Sequence, residues 1–429
     1  MPIQNYPQPP EKPEFVLYDG SKVVLPKITY DFNDGCRVFI HPMFDAGLER
    51  PEPTFTVVME DADTGHVLFA DSGIKPGVML VSRKKYYIRW KIDVICDETG
   101  AKIASVTQDL FGHDVLVSFP VGTLGDSIAW LYATWEFARF SGARTFSRLF
   151  AVVSPFVKEL YDDSMFEDAR LHLVTMDELK GRDIKPYATY NVGLFVGDRD
   201  CDMRPVEYQK VGLIDVARSI LGMWPHDPFC MTHRNEFPKP KSAMSGKYWK
   251  EPYAAISVQA SMAFKCWLNP NGWLEVVKHL EDKGLHAVCI DREKASSDGP
   301  VCVAIPYGAI DHTGDFALTE RVDCIMNAEM FIGCSSGLAW LAWACRKPVI
   351  IIGGFTEPFN EPPDAVRVFN PHVCHGCWND TRFDFDVKDR LWCPRHRHDG
   401  RWLECSTMIS AKPVIDCIDR IHAIAQVTK

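Results

Sequence analysis

Four stretches of this sequence carry residue types at spacings that can do chemistry. The first is VGTLGDS, residues 121–127, set between the apolar run DVLVSFP and the helix-like segment SIAWLYATWEFARFSG. Glycines there let backbone approach a ligand closely, and a helix start offers N–H groups that the helix itself leaves free. Asp126 has two readings. It is a helix-capping carboxylate, the commonest reason for aspartate at a helix start, or a general base within reach of a reacting group. The glycine pattern is weaker than the full dinucleotide fingerprint, and no acidic residue follows about 20 positions later to take a ribose.

The second stretch is FIGCSSGLAWLAWACRKPVIIIGGFTEP, residues 331–358. A strand is expected to end at Gly333, with Ser335, Ser336 and Gly337 opening a helix that continues through Leu338. Small hydroxyl residues and a glycine at a helix N-terminus suit a pyrophosphate without any basic patch. A serine cap on a buried helix accounts for the same residues. The third stretch, QASMAFKCWLNPNGW (residues 259–273), places Lys265 after another strand. That lysine either reaches a phosphate across a cleft or is an ordinary surface lysine.

The fourth is a cysteine set. Cys374-x2-Cys377 is followed by Cys393 after fifteen residues and by Cys405 after eleven more. Four thiols in one turn-rich, largely polar segment point to a tetrahedral thiolate metal site. The second pair is split, unlike a zinc ribbon, and His375, His396 and His398 stand nearby as substitute ligands. Spacing leaves zinc and iron both open. The loop between the thiols carries little apolar content, so its folding is expected to come from the metal. Asp198-x-Asp200-x-Asp202 resembles a metal-diphosphate signature, but it follows a strand as a polar turn and is read as a solvated acidic turn.

The elements that must position these groups fall into a simple order. Residues 14–108 combine short aromatic and β-branched runs with turns at Asp19-Gly20, Asn33-Asp34-Gly35, Thr64-Gly65 and Thr99-Gly100, which predicts a small β-barrel or sandwich. From Asp114 the pattern becomes α/β alternation, broken by a Pro-, His- and Lys-rich loop at 223–252, after which it resumes. Two Rossmann-like domains facing a cleft follow from this, with ligands at the carboxyl ends of their strands. The expected domains are 1–108 (all-β), 109–235 and 236–371 (Rossmann-like), 372–408 (metal finger) and 409–429 (a helix burying Val414, Ile418, Ile421 and Ala425).

Composition limits the function. At 46% hydrophobic and 24% charged, the chain has a globular composition, and its formal charge is 47 − 57 = −10. An acidic surface argues against nonspecific binding to nucleic acid or anionic lipid. No run approaches the roughly 20 apolar residues of a membrane span, and the start has no signal-peptide pattern. Most of the fifteen cysteines sit in apolar runs such as HAVCID, PVCVAI and LAWACRK, as buried thiols of a reducing compartment do. A cytoplasmic protein is expected.

The GLGD-type loop, the Lys265-x-Trp267 element and the small-small-Gly-Leu helix start followed by KPV and GGFT occur here in one order. In that order they resemble the ADP-heptose-dependent glycosyltransferases, GT-B enzymes related to the lipopolysaccharide heptosyltransferases. The lipopolysaccharide enzymes carry Asp-Thr-Gly-Leu-x-His at this helix start, where this chain has Ser335-Ser336-Gly337-Leu338-Ala339-Trp340. With the N-terminal β-domain and the four cysteines included, the chain is similar to the bacterial autotransporter heptosyltransferase family. That resemblance implies a GT-B fold, ADP-heptose as donor and serines of an autotransporter passenger domain as acceptors. It also implies one structural iron per subunit at Cys374, Cys377, Cys393 and Cys405, and self-association into a dodecameric ring. In an inverting, metal-independent transfer Asp126 would be the base. Lys265, Ser335, Ser336, Gly337 and Leu338 would hold the donor, with Gly122 and Thr123 contributing backbone amides from the other domain. Two other readings stand beside it: a lipopolysaccharide-type heptosyltransferase, and a non-catalytic metal-stapled scaffold that binds an autotransporter before export.

Overall fold

A computed structural model describes residues 15–16, 22–23, 25–42, 53–140, 146–223, 233–243 and 249–427. The Pro-rich start, the Asp19-Gly20 turn and parts of the 223–252 loop lie outside the described residues. The N-terminal strands are β1 (Ile28–Asn33), β2 (Arg37–Ile40), β3 (Phe55–Asp61), β4 (Val67–Ile74), β5 (Met79–Val81), β6 (Trp90–Cys96) and β7 (Lys102–Thr107). The first α/β half contains β8 (Asp114–Ser118), α1 (Leu124–Phe140), β9 (Arg148–Val153), β10 (Leu171–Thr175), β11 (Ala188–Asn191) and α2 (Leu213–Ile220). The second contains β12 (Tyr253–Ser257), α3 (Gly272–Asp282), β13 (His286–Cys289), β14 (Ile310–Asp311), β15 (Phe331–Gly333), α4 (Gly337–Ala344), β16 (Val349–Ile352) and β17 (Val366–Val368), and α5 (Ala411–Val427) follows.

The N-terminal segment departs from the self-contained barrel or sandwich expected over 1–108. Strands β4-β3-β6-β7 form an antiparallel sheet, whereas β1, β2 and β5 extend the first Rossmann-like sheet, whose order is β10-β9-β8-β11-β1-β2-β5. The join is a parallel pairing of β1 with β11, Phe32 opposite Ala188 and Thr189 opposite Asn33. Alternation does hold: Phe55, Val57 and Met59 on β3 and Trp90, Ile92 and Val94 on β6 are buried, with half-buried residues between them. Pattern shows which face is buried but not which sheet a strand joins.

The second sheet runs β14-β13-β12-β15-β16-β17, with every neighbouring pair parallel. Its central strands read YAAIS, FIG and VIII and are buried at every position, as a sheet covered on both faces requires. Helix α1 packs against α2 of its own half and against α4 of the other. That double contact explains why its apolar residues exceed one face: Ile128, Leu131 and Trp135 are buried as expected, and so are Ala129, Trp130, Tyr132 and Phe137. Helix α5 packs on α3 through Val414 and Ile418, while Ile421 and Ala425 are only partly covered. Cys289 and Cys345 are buried as expected. Cys302 is exposed, because the hairpin Ala295–Asp298/Val301–Ala304 turns alternate residues outward. Among the described residues no helix is long and apolar enough to cross a membrane.

Candidate active site

Strand order reverses between β8 and β11 in the first sheet and between β12 and β15 in the second. Loops leaving the carboxyl ends of strands diverge at such switch points and leave a crevice. Here both crevices open into one cavity of about 330 Å³. The first half lines it with Thr123, Gly125, Asp126, Leu194 and Leu213, and the second with Ser261, Met262, Lys265, Ser335, Ser336, Gly337 and Trp340. Three stretches far apart in sequence therefore meet at one place. Gly122 and Leu338 stand one step behind: neither lines the cavity, and a Cβ on Gly122 would lie 3.0 Å from the Trp130 ring.

Asp126 lies inside the first turn of α1 rather than at its cap position. Its Oδ2 accepts from the Thr123 amide at 2.9 Å and from the Thr123 hydroxyl at 2.8 Å, in a reciprocal capping arrangement. Its Oδ1 has no hydrogen-bond partner among the described residues. One oxygen ties down the helix start and the other is left for a ligand, so capping and base chemistry are compatible in one side chain.

Across the cavity the start of α4 abuts the start of α1. A Cβ on Gly125 would come within 2.8 Å of Trp340 Cδ1, and one on Gly337 within 2.8 Å of Leu124 Cβ. Glycine at both positions lets two helix N-termini, one from each half, converge on the same space. Each brings unsatisfied N–H groups and the positive end of its dipole. Ser336 holds the N-cap position of α4 but makes no side-chain cap bond, and its buried Oγ has no partner.

Lys265 follows a 3₁₀ turn, Ala263–Lys265, after β12, half-buried with Nζ 5.7 Å from the centre of the Phe355 ring. Burial lowers its pKa, and the fields of Asp126 and Glu361 oppose that shift. No carboxylate among the described residues pairs with Nζ directly. Behind it lies a buried group that sequence reasoning missed. Arg367 Nη2 donates to the Thr356 carbonyl at 3.2 Å and to its hydroxyl at 3.1 Å, while that hydroxyl donates to Glu361. Thr356 and Asn360 line the cavity. The available signal was a hydroxyl placed directly after the all-buried β16, in the GGFT run.

The cysteine segment also reaches the cavity, through Trp378, Phe385 and Val387. It is less polar in effect than expected. The Trp378 and Phe385 rings are 4.9 Å apart, Phe385 and Trp392 5.3 Å, and Phe355 of the second half is 5.9 Å from Trp392. A few aromatics spaced through polar sequence build a shared cluster that a composition count conceals. Cys377 and Cys393 are buried, and Cys374 and Cys405 partly so. Burial pushes the Cys377 thiol up, and the neighbouring Cys374, Cys405 and Cys393 push it further; Cys405 rises to about 12, from burial and then from Cys393 and Cys374. Four sulfur donors in one segment are a donor set suited to a soft cation. The compact ligand group among the described residues is Cys374, His396 and Glu404, whose ligand atoms lie within 4.8 Å of one another. Glu404 is engaged by Arg401 and by the Cys374 amide, and His396 Nδ1 contacts Asp399 at 2.9 Å. The Asp399 contact leaves His396 Nε2 available, and Cys377, Cys393 and Cys405 do not join this compact group, so the expected four-thiol set is not drawn together here.

The acidic turn holds no ligand-like arrangement. Arg83 bridges Asp200 at 2.9 Å and Asp202 at 2.8 Å, and Asp198 accepts from the amides of Asp202 and Met203. Its carboxylates anchor the N-terminal segment to the first half.

A mixed sheet and a parallel sheet, with a carboxylate on one wall of their shared cavity and a lysine beside a helix start on the other, have the layout of a two-domain GT-B transferase. Comparison with known proteins narrows the class. Residues 25–98 match the family described as glycosyltransferase TibC, N-terminal domain, and residues 226–379 match glycosyltransferase family 9 (heptosyltransferase). The autotransporter heptosyltransferase BAHTCr of Citrobacter rodentium (strain ICC168) is 38% identical over 92% of this chain and 89% of its own. The inactive autotransporter heptosyltransferase BimC of Burkholderia thailandensis is 30% identical over 93% of this chain and 86% of its own. Among solved structures, the dodecameric iron-containing heptosyltransferase TibC in complex with ADP-D-β-D-heptose superposes with a TM-score of 0.78 at 36% identity, covering 97% of this chain and 99% of that one. TibC is also known as a protein of Escherichia coli O78:H11. The chain belongs to the autotransporter heptosyltransferase family and is a heptosyltransferase.

Proposed function

We propose that this enzyme transfers heptose from ADP-heptose to serine hydroxyls of an autotransporter passenger domain, with inversion and without a catalytic metal. The observation that carries this reading is the placement of Asp126 and Lys265 on facing walls of one cavity. In the step proposed, the serine oxygen bonds to the anomeric carbon as the bond to ADP breaks. The serine proton passes to Asp126 Oδ1. Charge growing on the departing diphosphate is stabilised by Lys265 and by the free amides at the start of α4, already in place before reaction. The donor assignment rests on the ADP-heptose complex of the TibC relative.

The four thiolates of Cys374, Cys377, Cys393 and Cys405 would hold one iron per subunit, with zinc as the alternative metal. Four thiolates leave no open coordination position, so the metal's contribution is to hold the segment's fold. The dodecameric relative supports a ring of this chain, and the autotransporter relatives support a passenger domain as acceptor in the cytoplasm before export. Intact-mass measurement of a co-expressed passenger domain tests the assignment: additions in steps of one heptose are expected. An unchanged mass would overturn the passenger domain as acceptor. A lipid-linked acceptor is disfavoured by Trp340, which fills the position of the lipopolysaccharide enzymes' histidine and packs against Gly125.

A further inference from the structure

One small junction ties the cysteine segment to both halves at once. Gln209 belongs to the 3₁₀ turn Tyr208–Lys210 of the first half and is 6% exposed. Its Nε2 donates to three carbonyls of the cysteine segment: Trp378 at 2.9 Å, Asp380 at 3.2 Å and Phe383 at 3.2 Å. Asn379 answers from the other side. Its Nδ2 donates to the Gln209 carbonyl at 2.6 Å and to Asn360 Oδ1, and its Oδ1 accepts from the Glu357 amide at 2.8 Å. Asn360 Nδ2 in turn donates to the Val211 carbonyl at 3.2 Å. Buried Gln209 and half-buried Asn379 thus bridge three chain segments.

The junction lies directly behind the cavity, since Trp378, Asn360 and Leu213 line it. The halves touch closely here: a Cβ on Gly212 would fall 2.3 Å from the Phe359 carbonyl oxygen. The halves also meet where α1 packs against α4 at the helix starts, and where the Leu318 amide donates to Glu159 at 2.9 Å. Contacts between the halves beside a cavity help set its width, and reacting groups displaced by about 1 Å lose on the order of a hundredfold in rate.

We propose that Gln209 and Asn379 are positioning residues, a polar latch that fixes the cysteine segment to both halves and so sets the separation of the Asp126 and Lys265 walls. Its effect on rate rests on the function proposed above; its effect on order does not. Gln209→Glu places an acceptor against three carbonyls that need a donor, and Asn379→Ser shortens the second amide without burying a charge. Both variants should keep the parent's metal content and ADP-induced stabilisation, because Cys374, Cys377, Cys393, Cys405 and Lys265 are untouched. Transfer kcat should fall by at least about tenfold with the donor KM little changed. Amides of residues 378–383 should exchange with deuterium faster than in the parent. A folded Gln209→Glu protein with parental kcat and parental exchange overturns the latch. So does a loss of kcat, metal and ADP stabilisation together in both variants, which marks general damage. If the parent transfers no heptose to a passenger domain, the proposed function fails while the exchange measurement still decides the latch.

Discussion

Asp126 caps the start of α1 and, under the proposed function, also takes the acceptor proton; a single substitution separates the two. Asn keeps an oxygen for the Thr123 amide, so Asp126→Asn should fold with a melting temperature close to the parent's. It cannot take a proton, and transfer should fall by roughly 10²–10⁴-fold. Near-normal turnover would remove Asp126 from the mechanism. Lys265 gives a pH signature. The diphosphate needs the ammonium form, which is lost as pH rises through the folded pKa. Burial lowers that pKa, so ADP-induced stabilisation should decline at a pH below the ~10.4 of a free lysine. Lys265→Ala should show a smaller stabilisation with no such decline, followed by thermal melts at a series of alkaline pH values. A parent whose ADP response is as weak and flat as the variant's contradicts a phosphate role.

Helices α1 and α2 are joined by a buried ion pair, with Arg218 donating to both oxygens of Glu136 at 2.8 Å and side chains 10% and 2% exposed. Glu136→Ala removes the buried carboxylate from that guanidinium, which still reaches the less buried Asp215, and should cost about 3–5 kcal/mol in chemical denaturation. The exposed Lys180–Asp177 pair should cost at most ~1 kcal/mol when broken. The cysteine segment is a second element with a clear expectation. Cys393→Ser should release the metal, disorder the region around 372–408 and, by unseating Trp378 and Phe385, abolish transfer. Cys289→Ser, on the buried strand β13, should keep its metal. A coloured parent protein indicates iron and a colourless one zinc. Full metal retention by Cys393→Ser would rule out the four-thiolate site.

At the scale of the molecule, the two α/β halves meet along α1 and α4 and again at the Gln209–Asn379 junction, leaving the transfer cavity between them. If the ring of the TibC relative extends to this chain, native mass spectrometry should show a dominant species of twelve chains. A protein that remains monomeric at micromolar concentration would confine the ring to the relative.

The motifs were legible because their chemistry is local. Glycine and hydroxyl residues at a strand-to-helix turn, and thiols at short spacing, depend on backbone conformation and donor type, which a few neighbouring residues decide. The alternation of strands and helices was legible for the same reason, since burial repeats with the period of each element. Local sequence left Asp126, Ser336 and Lys265 each with an ordinary alternative. The tertiary structure brings the three to one cavity and, among the described residues, leaves Ser336 Oγ and Lys265 Nζ without a hydrogen-bond or ion-pair partner. It also placed β1, β2 and β5 in the first Rossmann-like sheet and gave the cysteine segment its aromatic wall. Strand pairing across some 150 residues and the meeting of side chains from three segments are set by the global minimum of packing, which no short window of sequence contains.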